Sequence, residues 1–181
     1  APVAENHGLR ADARRHLRDF PGAAADYTRA IELAAGATML LPPNQRRSTA
    51  EWSYSRGHVR RWSGDLAAAT DDFRAAIGFL GTASRPNACN AASWLNVVQR
   101  EQGLAGQAAR ELAALDKSDW PEREQELARF LSDEMTEAQL DASAGKRPED
   151  QFRAAFFSAT LRRIAGDHAG ALERFNRALA A

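Results

Sequence analysis

One cysteine, Cys89, is the only thiol in the chain, which excludes an internal disulfide and a multi-cysteine metal site. In the run NACNAASWL it reads as a helix-packing residue. Lysine is nearly missing too, with only Lys117 and Lys146 among 24 basic residues. Beside so much alanine, the preference for arginine reads first as base-composition bias in a GC-rich genome. Acidic residues also number 24, so no net field draws the chain to nucleic acid or to an anionic membrane. No apolar run approaches the roughly 20 residues that span a bilayer, and no strand-like alternation occurs. The chain starts APVAEN, without methionine or a charged-then-apolar leader. That fits a mature end left by signal-peptide removal or a trimmed chain. An exported, periplasmic bacterial location is favoured over a cytoplasmic one.

Catalytic constellations are also lacking. His7, His16, His58 and His168 have no histidine at i+3 or i+4, so no zinc site is expected. Asp71 and Asp72 adjoin on one helix and point to different faces, which does not make an acid/base pair. Ser53, Ser55 and Ser93 lack the context of a nucleophile elbow. The Gly-Asp turns are not followed by lysine-serine or lysine-threonine, as a phosphate loop requires. No enzyme, metal or cofactor is expected.

What is present is a repeat. GDLAAATDDFRAAI (Gly64 to Ile77) returns as RDFPGAAADYTRAI (Arg18 to Ile31), as GDHAGALERFNRAL (Gly166 to Leu179) and, degenerately, as GLAGQAARELAALD (Gly103 to Asp116). Ala69, Phe73 and Ala76 fall at i, i+4 and i+7, one face of a helix, and are expected to be buried. Aligned on that face, a small slot holds Ala23, Ala69, Ala108 and Ala171. An aromatic slot holds Tyr27, Phe73, Leu112 and Phe175, and the next small slot holds Ala30, Ala76, Leu115 and Ala178. Twelve residues before the first alanine stand Ala11, Gly57, Asn96 and Ala159. Small residues let paired helices approach, and the aromatic fills the hole against the next unit.

The expected units run over about 5–35, 48–80, 88–116 and 149–180. Between the first two, Gly36 to Arg47 reads as an ordered loop in which Met39, Leu40 and Leu41 fold back over a core edge. Ser48 and Glu51 then read as a capping box opening the next helix. A second loop is expected from Gly81 to Asn87. The span KSDWPEREQELARFLSDEMTEAQLDASAGKRPED departs from the repeat and reads as an inserted helical pair over about 120–145. There Pro121 opens one helix, Leu127, Phe130, Leu131 and Leu140 face inward, and Thr136 with Gln139 forms another capping box.

These slots resemble those of the tetratricopeptide repeat, whose period is about 34 residues. The resemblance implies an all-α, right-handed helical solenoid of about four helix pairs in one domain, interrupted before its last unit. The signature alanines lie 46, 39 and 63 residues apart (69−23, 108−69, 171−108), so the array is not tandem. Asp116, Trp120-Pro121, Phe130-Leu131, Thr136 and Leu140, followed by RAAFFSATLRRIAGDHAGALERF, are similar to the C-terminal part of bacterial NlpI-type tetratricopeptide lipoproteins. Ser132 stands where that family has glycine, and no lipidated cysteine opens this chain. The family implies a non-catalytic adaptor that docks proteases and cell-wall hydrolases. The alternative is a helical accessory subunit or domain of a larger enzyme or secretion assembly.

By the repeat register, a groove along the first helices is lined by Glu5, Gly8, Asp12 and Arg15, then by Glu51, Tyr54, His58 and Arg61. Asn90, Ser93, Val97 and Arg100 follow, and then Arg153, Phe156, Thr160 and Arg163. Arginine takes the last slot every time. It serves either as a ladder of guanidiniums for an extended partner or as helix-end charge complementing the dipole. Tyr54, His58, Arg61, Arg100, Arg153, Phe156 and Arg163 are the expected contacts to a protein or peptide. The composition leaves the oligomeric state open.

Overall fold

In this computed structural model, which describes residues 2–35, 43–80 and 85–180, the chain forms ten helices and no strand among those residues. They are α1 (Pro2–His16), α2 (Phe20–Ala35), α3 (Pro43–Trp62), α4 (Leu66–Leu80) and α5 (Arg85–Glu101). Then follow α6 (Ala105–Ala113), α7 (Glu122–Leu131), α8 (Glu137–Ala144), α9 (Pro148–Ile164) and α10 (His168–Ala180). The chain divides into two compact units, Ala1–Val98 and Gln99–Ala181. The all-α expectation holds.

Two helix starts differ from the sequence reading. Helix α3 begins at Pro43, so Ser48 lies inside it and opens no capping box. Helix α5 begins at Arg85, inside the loop expected over 81–87. Proline explains both: its fixed φ suits the first turn of a helix, where its missing N–H costs nothing. Pro43 starts α3, and Pro86 is the second residue of α5. Met39, Leu40 and Leu41, expected to fold over a core edge, lie outside the described residues.

The turn between paired helices recurs in register. Arg18, Gly64, Gly103 and Gly166 all have positive φ, between 60° and 84°. After each, a backbone N–H (Asp19, Asp65, Leu104, Asp167) donates at 2.9 Å to the carbonyl of Arg14, Arg60, Gln99 or Arg162. This is the bond that satisfies a helix's last carbonyls when one residue adopts the left-handed conformation. Glycine reaches that conformation without strain, and Arg18 reaches it against its Cβ. Asp19, Asp65 and Asp167 then cap the next helix, accepting N–H bonds from Gly22, Ala68 and Gly170 at 2.9–3.1 Å.

Below each turn the small slots close the pair. Ala23, Ala69 and Ala108 are fully buried, as are Tyr27 and Phe73 in the aromatic slot. Ala76 is buried as expected. Arg14 donates to Gly22 O and Arg10 to Asp26, so partners recede along α2 as they advance along α1. That ordering makes α1 and α2 antiparallel. Phe156 against Phe175 and Arg162 beside Gly170 give α9 and α10 the same ordering.

A charged residue also repeats three residues after the small slot, buried at Asp26 and Asp72 and half-buried at Glu111 and Arg174. Asp26 accepts from Arg10 and Arg14 at 2.5–2.8 Å, and Asp72 from Arg56 and Arg60 at 2.6–3.1 Å. Glu111 accepts from Gln99 at 2.5 Å. In the last pair the sign is inverted, and Arg174 turns to the inserted α8, donating to Glu137 and to Asp141. Arg162 reaches the same Glu137 at 2.9 Å. Hydrogen bonds from Arg162, then from Arg174, hold the Glu137 carboxyl below its ordinary value.

The inserted pair packs as expected. Leu127, Phe130, Leu131 and Leu140 are buried, and Thr136 with Gln139 forms a reciprocal capping box. Pro121 occupies the cap position just before Glu122 rather than the first helical turn. Gly145, with φ of 60°, ends α8, and Pro148 starts α9.

Candidate functional site

In the first unit, α1 and α3 touch through an absence. A Cβ on Gly8 would lie 2.3 Å from Trp52 Nε1, so any other residue there would force the indole to shift. Gly57 plays the same part between α3 and α4, where a Cβ would stand 3.0 Å from the Phe73 ring. Beside these contacts, α3 carries Tyr54, His58 and Trp62 at i, i+4 and i+8, one face of the helix. Trp94 of α5 meets that face.

His58 sits at the centre. Its ring stands edge-on to Tyr54 at 4.7 Å, to Trp94 at 4.8 Å and to Phe73 at 5.1 Å between centroids. Trp62 lies tilted against it at 5.7 Å. The guanidinium carbon of Arg61 lies 4.9 Å from the centre of the Trp94 ring, a cation–π geometry. Trp62 rests on Phe20 at 5.5 Å and still exposes 47 % of its surface. The result is an aromatic surface with cationic flanks, which brings Tyr54, His58 and Arg61 together around Trp94. Trp62 and Trp94 were not among the expected contacts. Trp62 is legible in retrospect, four residues beyond His58 on the same face.

Burial is the main reason the His58 imidazole is pushed down to about 4, with the positive charges of Arg61 and Arg15 adding to it. At neutral pH the ring is therefore an uncharged aromatic between two guanidiniums. The folded value lies below the unfolded 6.5, so the unfolded chain binds the proton first as pH falls. The contribution to stability is full above about pH 6.5 and declines through the window down to 4. A difference of 6.5−4 at about 1.4 kcal/mol each amounts to a loss of about 3 kcal/mol. Urea melts of wild type and His58→Phe across pH 7 to 4 are expected to diverge, with the phenylalanine variant losing less. Parallel profiles would show that His58 is hydrated and not caged.

In the second unit the expected residues have acquired internal partners. Arg100 has only 12 % of its side chain exposed and donates to Leu131 O at 2.8 Å and to Asp133 at 2.8–2.9 Å. It fastens the end of α7. Removing it is therefore expected to lower the melting temperature, unlike removal of a solvated helix-end charge. Arg153 pairs with buried Glu124 at 2.5 Å, and Arg163 with Glu101 at 2.5 Å. Phe156 stacks on Phe152 at 5.8 Å and meets Phe157 and Phe175 edge-on. Thr160 is buried here, as are Ser93 and Val97 in the first unit. A shallow recess between α7, α8 and α9 is lined by Leu127, Leu140, Ala144, Ala154, Arg123 and Arg153. It is open to solvent.

Asp71 and Asp72 separate as the helix spacing requires: Asp72 is buried and Asp71 exposed. Cys89 is buried. Among the described residues no group of histidine, cysteine, aspartate or glutamate side chains could hold a metal ion. No described helix is long and apolar enough to cross a membrane. The chain matches no protein-family model, no curated protein and no solved structure.

Proposed function

We propose that the chain is a non-catalytic protein-binding adaptor of the tetratricopeptide type, a right-handed helical solenoid interrupted by its inserted pair. The observation that carries this reading is the aromatic and cationic surface of the first unit. Trp62, one of its two tryptophans, leaves 47 % of its surface open. Four turns in one register and the recurring small and aromatic slots support the repeat class. The likeness of the inserted pair to NlpI-type lipoproteins supports a bacterial, exported adaptor.

The surface takes an extended protein segment bearing an aliphatic or aromatic anchor with acidic groups beside it. Tryptophan, tyrosine and arginine are the side chains most often decisive at protein interfaces. Their flanking charge sets register and association rate more than affinity. Random linear peptides displayed on phage and selected on the whole chain are the direct probe. The selected peptides are expected to be acidic with an apolar anchor. Trp62→Ala is expected to weaken their binding by about 2 kcal/mol, roughly thirtyfold. Arg61→Ala is expected to flatten the salt dependence while the melting temperature stays within a few degrees. Selection of no peptide, or equal binding by both variants, removes this reading.

A further inference from the structure

We propose that the recess between α7, α8 and α9 binds a primary alkylammonium, the group that ends a lysine side chain. The recess lies wholly within the second unit. Its floor is apolar: Leu127 of α7, Leu140 and Ala144 of α8 and Ala154 of α9 are all buried. It offers about 280 Å³ of free space, part of it open to solvent. That is room for one unbranched side chain and too little for a larger ligand.

Above the floor each helix supplies one oxygen acceptor. Asp150 of α9 is 7 % exposed, and its buried Oδ2 accepts no hydrogen bond among the described residues. A buried carboxylate oxygen without a donor costs the folded chain stability, which a ligand donating there restores. Glu126 of α7 lines the same recess, half-buried and in no ion pair or hydrogen bond among the described residues. Ser143 of α8 donates its hydroxyl proton to Leu140 O at 2.9 Å, so it offers the recess only acceptor capacity. An ammonium carries three rotatable donors, one for each of these oxygens, on a stem as apolar as the floor. A guanidinium is a planar fork that suits the two oxygens of one carboxylate, and here the acceptors come from three side chains.

Cations also border the recess. Arg153 is committed to Glu124 at 2.5 Å, and Arg123 Nε lies 3.6 Å from the same carboxylate. Arg147 Nε stands 2.6 Å from Asp150 Oδ2, but its N–H points past the oxygen and no hydrogen bond forms. The Arg147 side chain is 68 % exposed and can turn to water when an ammonium arrives. Arg147 is thus a competitor that the ligand displaces.

Amide NMR spectra of the isotope-labelled whole chain, titrated with n-butylammonium, test this. The shifts are expected to centre on the residues around the recess and to saturate at a concentration on the order of millimolar, as fits a ligand this small. The uncharged n-butanol is expected to bind about tenfold more weakly, and so are Asp150→Asn and Glu126→Gln with the ammonium. Arg147→Gln is expected to bind it several-fold more tightly. Glu126 and Arg147 are not buried, so their variants read the site without disturbing the core. Lysine blocked at both its backbone ends separates the two sources of this chemistry. Binding equal to that of butylammonium assigns the recess to a lysine of a protein partner, and exclusion assigns it to a free amine. No shifts around the recess, equal binding of butanol, a Glu126→Gln that binds as wild type does, or an Arg147→Gln that binds no more tightly would each overturn the proposal.

Discussion

Replacing Asp72 with asparagine is expected to destabilise the chain by about 3–5 kcal/mol, the cost of breaking a buried ion group by removing one member. The Asp72 side chain is 2 % exposed, and its partners Arg56 and Arg60 are 14 % and 27 % exposed. An asparagine keeps the shape but leaves two guanidiniums facing a neutral amide with little water to help them. Burial pushes the Asp72 carboxyl above its ordinary value in spite of the hydrogen bonds from Arg56 and Arg60. In a buried cluster of this kind the desolvation of the charges offsets much of their attraction, so the cluster as a whole is not a large source of stability. Replacing all three residues together by apolar ones of similar volume is accordingly expected to recover most of the loss. Urea midpoints of the single and triple variants separate these effects. A single variant as stable as wild type would show that water reaches the cluster.

The same substitution at Asp26 is expected to cost less. Its partners Arg10 and Arg14 are 57 % and 37 % exposed and can turn to solvent. Hydrogen bonding from Arg10 is the main reason the Asp26 carboxyl is held down to about 2. Its contribution is therefore present above the unfolded value of 3.8 and is lost as pH falls towards 2. The two sites differ in burial far more than in hydrogen-bond geometry, so one repeated motif acts differently in two places.

What could be read from the sequence was whatever depends on local spacing. Ala23, Ala69 and Ala108 declare themselves because close helix approach admits only small side chains, and their aromatic follows one turn later. Thr136 and Gln139 declare a helix start by the same local logic. The Arg-Asp-Arg clamps were missed because Arg10 and Arg14, or Arg56 and Arg60, look like a solvated face. Only the acid 12 and 16 residues further on turns them inward. Trp94 was missed for a similar reason, since it meets His58 across 36 residues of chain (94−58). The arginine slot shows how far register reaches. It placed Arg61, Arg100 and Arg163 correctly on their helices and could not foresee Asp133 or Glu101 as partners. A repeat position specifies where a side chain starts, and its neighbours decide what it does.

Phe73→Ala is expected to cost about 3–5 kcal/mol, the range for truncating a fully buried aromatic ring. Phe73 is completely covered, packed with Ala69, Leu95 and Val98 and with the rings of Tyr54 and His58. Facing it, Gly57 has no side chain with which to collapse into the space, so the cavity stays open and the loss is expected towards the upper end. Phe175→Ala, in the same slot but half-buried, is expected to cost clearly less. Phe73 also forms the floor under His58. Its removal is expected to let water reach the imidazole and to raise its pKa from about 4 towards 6.5. Chemical-shift titration of His58 in the variant measures that rise, and denaturant melts measure the stability. An unmoved His58 titration beside a large stability loss would mean that the tryptophans alone keep the ring dry. A Phe73→Ala variant that melts with wild type would mean that the small-aromatic-small register does not describe the core.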